Sequence, residues 1–284
     1  MLELILSQVA NGLVLGFLYV LIALGLSIIF GMLGIVNFAH GAIFALGAYF
    51  SITLVPIFGW WGLVLVPVLS ALVGVLFEVA LIRRLYGKEP LFGLIVTFGL
   101  ALLIEALIKY FWGPSGRPFA PPEFLRGFIE IGPILLTKYR MAVIVCTIAI
   151  LLALWYLLVR TPFGRIIRAG SEDREMVGML GINVPRVFVG VVALSCCLAG
   201  TAGMLAAPLW SVAPAMAASA IMPAFVIVTI GGLGSYTGAI VAGLMVGVVT
   251  ALTIQFWPAA AGAAMYALMA LILLVRPRGL FGER

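Results

Sequence analysis

The side chains able to do ionic, acid–base or nucleophilic work are few, and their densest group lies in residues 160–186, RTPFGRIIRAGSEDREMVGMLGINVPR. Five arginines stand there with Glu172, Asp173 and Glu175, while the flanking sequence is almost free of charge. The group has no His and no Cys, so it reads as a polar surface for a soluble partner and not as a catalytic centre. Its local signals predict a short helix over about 172–180. Ser171 suits the N-cap, because its hydroxyl can accept from the free backbone N–H groups of the first turn. Glu172 and Asp173 then sit where the helix dipole favours negative charge. Gly181 offers a left-handed stop, and Pro185 prevents the helix resuming. Met176, Val177, Met179 and Leu180 give this helix an apolar side. One reading is an amphipathic loop helix lying on a bilayer surface. The other is a docking helix that carries motion from a soluble engine into a membrane.

The remaining candidates are scattered. His40 is the only histidine, so no His-based metal cluster is expected. It reads either as a polar group or proton-sensitive gate near a conduit, or as a satisfied residue at a helix start. Glu105 and Lys109 have the i, i+4 spacing of a helical ion pair. Glu78 lies within about two turns of Arg83 and is expected to snorkel toward the cytoplasmic rim. Asn11, Asn37, Thr97, Thr229 and Gln255 can line a path or bond a neighbouring helix. A short internal echo pairs Leu33-Gly34 and Gly41-Ala42-Ile43 with Leu233-Gly234 and Gly238-Ala239-Ile240. Interrupted helices of a duplicated fold often build a substrate path, which makes Asn37, His40, Ser235, Tyr236 and Thr237 path candidates. No lysine completes a phosphate-binding loop, and neither a serine nucleophile elbow nor an HExxH zinc motif occurs. The chain therefore carries no visible energy source, catalytic site or metal site.

The elements that must position these residues are membrane helices. The chain has 284 residues, of which 65% are hydrophobic and only 9% charged. No soluble domain could cover itself with so little polar surface. A single polytopic all-α membrane domain over 1–284 is expected. The net charge of +6 does not point to nucleic acid, because the basic residues are not pooled on one face. Cys146, Cys196 and Cys197 lie in apolar runs and read as small hydrophobes. The start of the chain lacks the basic n-region of a cleavable signal. Between Glu3 and Glu78 no Asp, Glu, Lys or Arg occurs, which leaves room for about three crossings. Residues 91–112 and 139–159 make one crossing each. From Arg186 to Arg276 there is room for about four more. Nine crossings are expected, or eight if one short segment dips in and returns. Turns are expected near 31–37, 56–62, 208–219, 231–237 and 257–262. Eleven of the 16 Lys and Arg then fall on one side: Arg83, Arg84, Lys88, the five of 160–186, and Arg276, Arg278 and Arg284. The positive-inside bias makes that side, and the C-terminus, cytoplasmic. Nine crossings place the N-terminus outside, and eight place it inside. The outer loop, about 113–138, is broken by Pro and Gly, and Phe119, Phe124, Leu125 and Phe128 are apolar enough to pack on the membrane face or a partner. Ala199, Gly203 and Ala207, and likewise Ala239, Gly243 and Gly247, form small-residue seams for helix packing.

Three stretches together resemble one family: NGLVLGFLYVLIALGLSIIFGMLGIVNFAHG (11–41), RTPFGRIIRAGSEDREMVGMLGINV (160–184) and IVTIGGLGSYTGAIVAG (227–243). The chain resembles the permease subunits of bacterial ABC importers for branched-chain amino acids, the leucine–isoleucine–valine type. The resemblance implies that 160–184 is the cytoplasmic loop that meets the ATPases, with Glu172, Asp173, Arg174, Glu175 and Gly181 in its coupling helix. Asp173-Arg174 departs from the Glu-Ala-Ala of the general importer pattern. The resemblance also implies a multi-pass protein of the bacterial inner membrane and a five-part machine. Its partners would be a second homologous permease, two cytoplasmic ATP-binding subunits and an external or periplasmic substrate-binding protein. ATP and Mg would be bound by the ATP-binding subunits, with no cofactor in this chain. Related permeases serve urea and short-chain amides, which stay open as alternative substrates. A stand-alone carrier or channel is the rival from another class, but the long charge-free runs lack the buried carboxylates such a carrier would use.

Overall fold

In the computed structural model the described residues are 1–131 and 134–282. Arg284, counted above with the cytoplasmic tail, lies outside them. The order of helices is α1 (Leu2–Leu33), α2 (Ala39–Phe58), α3 (Leu65–Ala80), α4 (Pro90–Trp112), α5 (Lys138–Arg160), α6 (Pro162–Glu172), α7 (Arg174–Met179), α8 (Val184–Ala206), α9 (Met216–Gly231), α10 (Tyr236–Phe256) and α11 (Ala261–Val275). One hairpin, β1 (Phe128–Ile131) with β2 (Ile134–Thr137), is antiparallel and pairs Ile129 with Leu136.

α1 is the axis of the body. From Leu18 to Leu33 its residues are almost all buried, and it packs against α5, α8, α9 and α10. This explains a sequence that is apolar on every side: a helix enclosed all round by other apolar helices needs no polar face. Lipid supplies no hydrophobic drive for one helix to join another, so contact depends on how closely backbones approach. Gly12 and Gly16 of α1 face Gly243 and Gly247 of α10. A Cβ on Gly247 would run into the Gly12 carbonyl oxygen and the Gly16 backbone. Gly47 of α2 meets Gly200 of α8 in the same manner, and Gly203 meets the Phe44 carbonyl. Both small-residue seams are therefore real interfaces.

Seven helical stretches of at least 18 residues have the apolar composition of a bilayer span, and Met216–Gly231 is a shorter one. One of the seven, Ala39–Ala80, contains a 3-10 turn at Gly59–Val64. There the chain reverses: a Cβ on Gly62 would meet the Leu54 carbonyl. Counted by segment, the described residues make nine apolar helices, in agreement with the larger of the two expected counts. The expected spans 91–112 and 139–159 correspond to α4 and α5 within a residue or two at each end. The turn at 34–38 is irregular backbone held inside the body. Thr97 satisfies it, accepting from the Phe38 N–H at 3.2 Å and lying 3.2 Å from the Val36 carbonyl.

The two ends of the body differ. At one end the loop after α4 is tied down by reciprocal backbone bonds between Arg117 and Val212, at 2.8 and 3.0 Å. Phe119 and Leu125 pack on the body itself, whereas Phe124 and Phe128, 72% and 64% exposed, stay open to the membrane face or a partner. At the other end lie α6, α7, the end of α1 and the tail after α11. The expected ion pair of Glu105 with Lys109 forms at 2.7 Å, and Glu78 pairs with Arg83 at 3.5 Å. Glu78 does not snorkel. It is fully buried, and the Tyr86 hydroxyl donates to it at 2.5 Å. A carboxylate drawn into the body needs such partners, because its desolvation is otherwise too costly.

Candidate coupling face

The 160–186 stretch folds as two helices and not as the single helix expected over 172–180. Thr161 caps α6: its hydroxyl accepts from the Gly164 N–H at 3.2 Å, and Pro162 occupies the first turn, where its missing N–H costs nothing. α6 runs on to Glu172. The chain then turns extended at Asp173 (φ −148°, ψ 104°). Asp173, and not Ser171, is the cap of α7: its Oδ1 accepts from the Met176 N–H at 2.9 Å. Ser171 lies inside α6 and donates instead to the Arg168 carbonyl at 2.7 Å. Ser171 loses the cap because it continues the helix of α6, whereas a cap residue needs a non-helical backbone. Gly181, at φ +80°, ends the stretch as expected. Asn183 then caps α8, accepting from the Arg186 N–H at 3.2 Å.

α7 is attached inward and open outward. Val177 is its buried anchor, at 2% exposure. Met176, Met179 and Leu180 are 53%, 78% and 73% exposed. A six-residue helix that turns three large apolar side chains away from the body presents a contact surface, and flexible methionines suit one that must adapt. Glu172, Asp173 and Glu175 are exposed around it. Arg174 points back. Its guanidinium donates to the Leu33 carbonyl at 3.2 Å. Leu33 ends α1, where unpaired carbonyls and the dipole favour a cation. The start of α7 is thereby clipped to the end of the central helix.

Beside this elbow is a cleft of about 540 Å3, lined among others by Arg168, Ser171, Glu172, Ser235, Tyr236 and Thr237. Ser235 caps α10, accepting from the Gly238 N–H at 3.1 Å. The left-handed turns at Gly34 and Gly234 neighbour one another here, since a Cβ on Gly31 would lie 3.5 Å from the Gly234 Cα. The tail closes the far side. Leu280 and Phe281 donate backbone N–H groups to the carbonyls of Ile230 and Gly231, at 2.8 and 3.0 Å.

The five path candidates are not brought together. Ser235, Tyr236 and Thr237 line this cleft, beside Arg168, Ser171 and Glu172. His40 is fully buried between α1, α2 and α8, with its Nε2 3.0 Å from the Ile22 carbonyl. That carbonyl can only accept, so Nε2 carries the proton. Ser195 donates to the Gly25 carbonyl at 2.6 Å and lies 3.5 Å from His40 Nδ1. His40 thus stitches three helices together, and it lines none of the described cavities. Asn37 is buried as well, and its Oδ1 accepts from the Ala39 N–H at 3.1 Å. The only void it lines among those described is about 10 Å3, too small for a solute.

The branched-chain amino acid transport system / permease component family matches residues 8–275. The chain belongs to this family. The high-affinity branched-chain amino acid transport system permease protein LivH of Escherichia coli K12 is 30% identical, covering 98% of this chain and 96% of that one. BraD of Pseudomonas aeruginosa is 27% identical with the same coverage. LivM of Escherichia coli K12 is 28% identical over 93% of this chain and 67% of its own length. Among solved structures, PsaBC from Streptococcus pneumoniae in complex with Fab superposes with a TM-score of 0.50 at 13% identity, covering 93% of this chain and 89% of that one. At that identity the likeness concerns the fold alone.

The elbow of α6 and α7 is clipped to the body on one side and open on the other. Three of its components escaped the sequence reading. The Thr161-Pro162 start of α6 carries a plain cap-plus-proline signal that could have been read. The outward aim of Met176, Met179 and Leu180, and the clip from Arg174 to Leu33, join residues far apart in sequence and had no local signal.

Proposed function

We propose that this chain is the membrane permease subunit of an ATP-driven importer for branched-chain or related amino acids, worked through α7. The single observation that supports α7 as the handle is its two-sided attachment. Val177 and Arg174 fix it to the body, while Met176, Met179 and Leu180 face outward. Two ATP-binding subunits would seat on that surface, a second permease related to this one would complete the path, and an external binding protein would deliver the amino acid. ATP and Mg belong to the ATP-binding subunits in this scheme. The end bearing α6, α7 and the tail is the cytoplasmic one in a bacterial inner membrane, because the basic residues Arg83, Arg84, Lys88, Arg160, Arg165, Arg168, Arg174, Arg186, Arg276 and Arg278 gather toward it. The N-terminal end of α1 then lies outside and the C-terminus inside.

In this mechanism, closure of the ATP-binding pair displaces α7. The Arg174 clip passes the displacement to α1, and α6 and α8, which flank α7, pass it to α5 and α2. Because the seams at Gly47–Gly200 and Gly12–Gly247 leave no slack, helices shift as packed units and the path changes the side to which it opens. The test is Met179→Glu with Leu180→Glu in the complete complex. Both side chains are exposed, so the subunit still folds, and the ATP-binding subunits are expected to dissociate on purification with loss of uptake. Unchanged assembly and uptake would remove α7 from the contact.

A further inference from the structure

At the end of the body opposite α7, a cavity of about 180 Å3 opens between α1, α5, α10 and the segment after α8. Gln8, Asn11 and Arg140 line it together with Leu15, Leu18 and Leu209. The Arg140 guanidinium donates to Asn11 Oδ1, and Gln8 donates to Gln255 Oε1 at 2.8 Å. Among the described residues Arg140 forms no ion pair, and no acid lines the cavity. The cation is also placed against both general electrostatic trends. It sits in the first turn of α5, where the helix dipole disfavours positive charge. It belongs to the less basic end, where the membrane charge bias would not put it. A half-buried arginine with no counter-ion, several N–H donors unspent and a void beside it is arranged for an anion that comes and goes.

We propose that this cavity is a loading site on the entry side of the path, in which Arg140 receives the α-carboxylate of the incoming amino acid. The aliphatic wall of Leu15, Leu18 and Leu209 receives an apolar side chain. Among the residues that line the cavity, Gln8 and Asn11 carry the side-chain acceptors that can serve the ammonium group. Neutral amide acceptors hold an ammonium weakly, which suits a site that must pass its occupant on. The inference rests on the importer reading above, and it narrows the substrate class. A carboxylate-bearing amino acid fits, whereas urea or a short-chain amide leaves Arg140 unmatched.

The experiment uses the full complex in proteoliposomes, with Cys146, Cys196 and Cys197 replaced by alanine and Ile254→Cys as reporter at the cavity wall. Labelling by an anionic methanethiosulfonate is expected to be several-fold faster than by a cationic one of similar size. The preference should persist in Arg140→Lys and vanish in Arg140→Gln. L-leucine should protect the reporter and L-leucinamide should not. Binding-protein-dependent uptake by Arg140→Gln should show a KM raised about ten- to a hundredfold, the range for losing a charge-assisted pair. Equal labelling by both reagents, or equal protection by leucine and leucinamide, overturns the site. So does an anion preference that is absent in phospholipid vesicles and appears only in phosphate-free detergent, which would assign Arg140 to a headgroup phosphate. The labelling comparison is made with Arg140 intact, so it decides the matter even if Arg140→Gln fails to fold. Failure of the unsubstituted complex to take up leucine with ATP would instead count against the importer reading.

Discussion

Replacing Asp173 by alanine removes the only side-chain cap of α7. Asp173 Oδ1 accepts from the Met176 N–H at 2.9 Å, and its carboxylate sits at the positive end of the helix. Loss of such a cap costs about 1 kcal/mol, and loss of the charge at the first turn adds about 0.3–1 kcal/mol. A six-residue helix has no stability of its own, since isolated helices below about 12–15 residues are marginal in water. The whole 1–2 kcal/mol therefore falls on the local equilibrium between docked and frayed α7. At about 1.4 kcal/mol per factor of ten, the opening constant rises about 5- to 30-fold. Hydrogen exchange reads this directly at the Val177 and Leu180 amides, which bond to the Asp173 and Met176 carbonyls at 3.3 and 3.2 Å. Protection at both should fall by that factor, and uptake by the assembled complex should fall with it. Asp173→Asn is the control, because asparagine caps as well as aspartate while carrying no charge. It should recover most of the protection and most of the uptake. Equal exchange in the alanine variant and the parent protein would refute the capping argument. Equal loss in the alanine and asparagine variants would show that the charge alone matters.

Three further outcomes follow from the body. Gly247→Ala drives a Cβ into the Gly12 and Gly16 backbone of α1; overpacking of that kind costs about 1–3 kcal/mol and should lower the unfolding temperature in detergent, whereas Gly99→Ala, with open space around it, should not. His40→Ala should destabilise the subunit by about 3 kcal/mol, the scale of emptying a large buried site, while leaving the KM for uptake by surviving complexes unchanged; a raised KM with normal stability would restore His40 to the path. Burial, and next the hydrogen bond to Glu78, raise the Tyr86 hydroxyl above its ordinary value of 10.0. A group whose folded value is raised stabilises the fold below its unfolded value and loses that contribution as pH rises through the folded one. Stability should therefore hold from neutral pH to about 10 and decline above it, and Tyr86→Phe should remove this part of the decline.

The ends of α4 and α5 were legible because charges mark them: Glu89, Lys109, Lys138 and Arg160 stand at or near the boundaries. The seams were legible because small residues at a four-residue spacing have few other uses in a membrane helix. The elbow was only half legible. Ser171 and Asp173 both satisfy the composition of a cap, and the choice depends on where the backbone leaves the helix, which neither residue announces. Glu78 was misread because Tyr86, its partner, lies eight residues away across a turn. Asn37 and His40 show a general difficulty. In so apolar a chain a polar residue can serve a path or satisfy buried backbone; these two bond backbone groups, which their sequence positions do not announce. Arg140 was the reverse case, counted only as one charge on the less basic side.

The central claim is that this chain is a gate with no energy source of its own, moved by partner subunits through α7. The most direct measurement is uptake of labelled leucine into proteoliposomes, with binding protein outside and ATP inside, comparing the complete assembly with the two permease subunits alone. Accumulation is predicted only when the ATP-binding subunits and ATP are both present, and dissipating ion gradients should not abolish it. Accumulation by the permease subunits alone, driven by a proton or sodium gradient, would contradict the account.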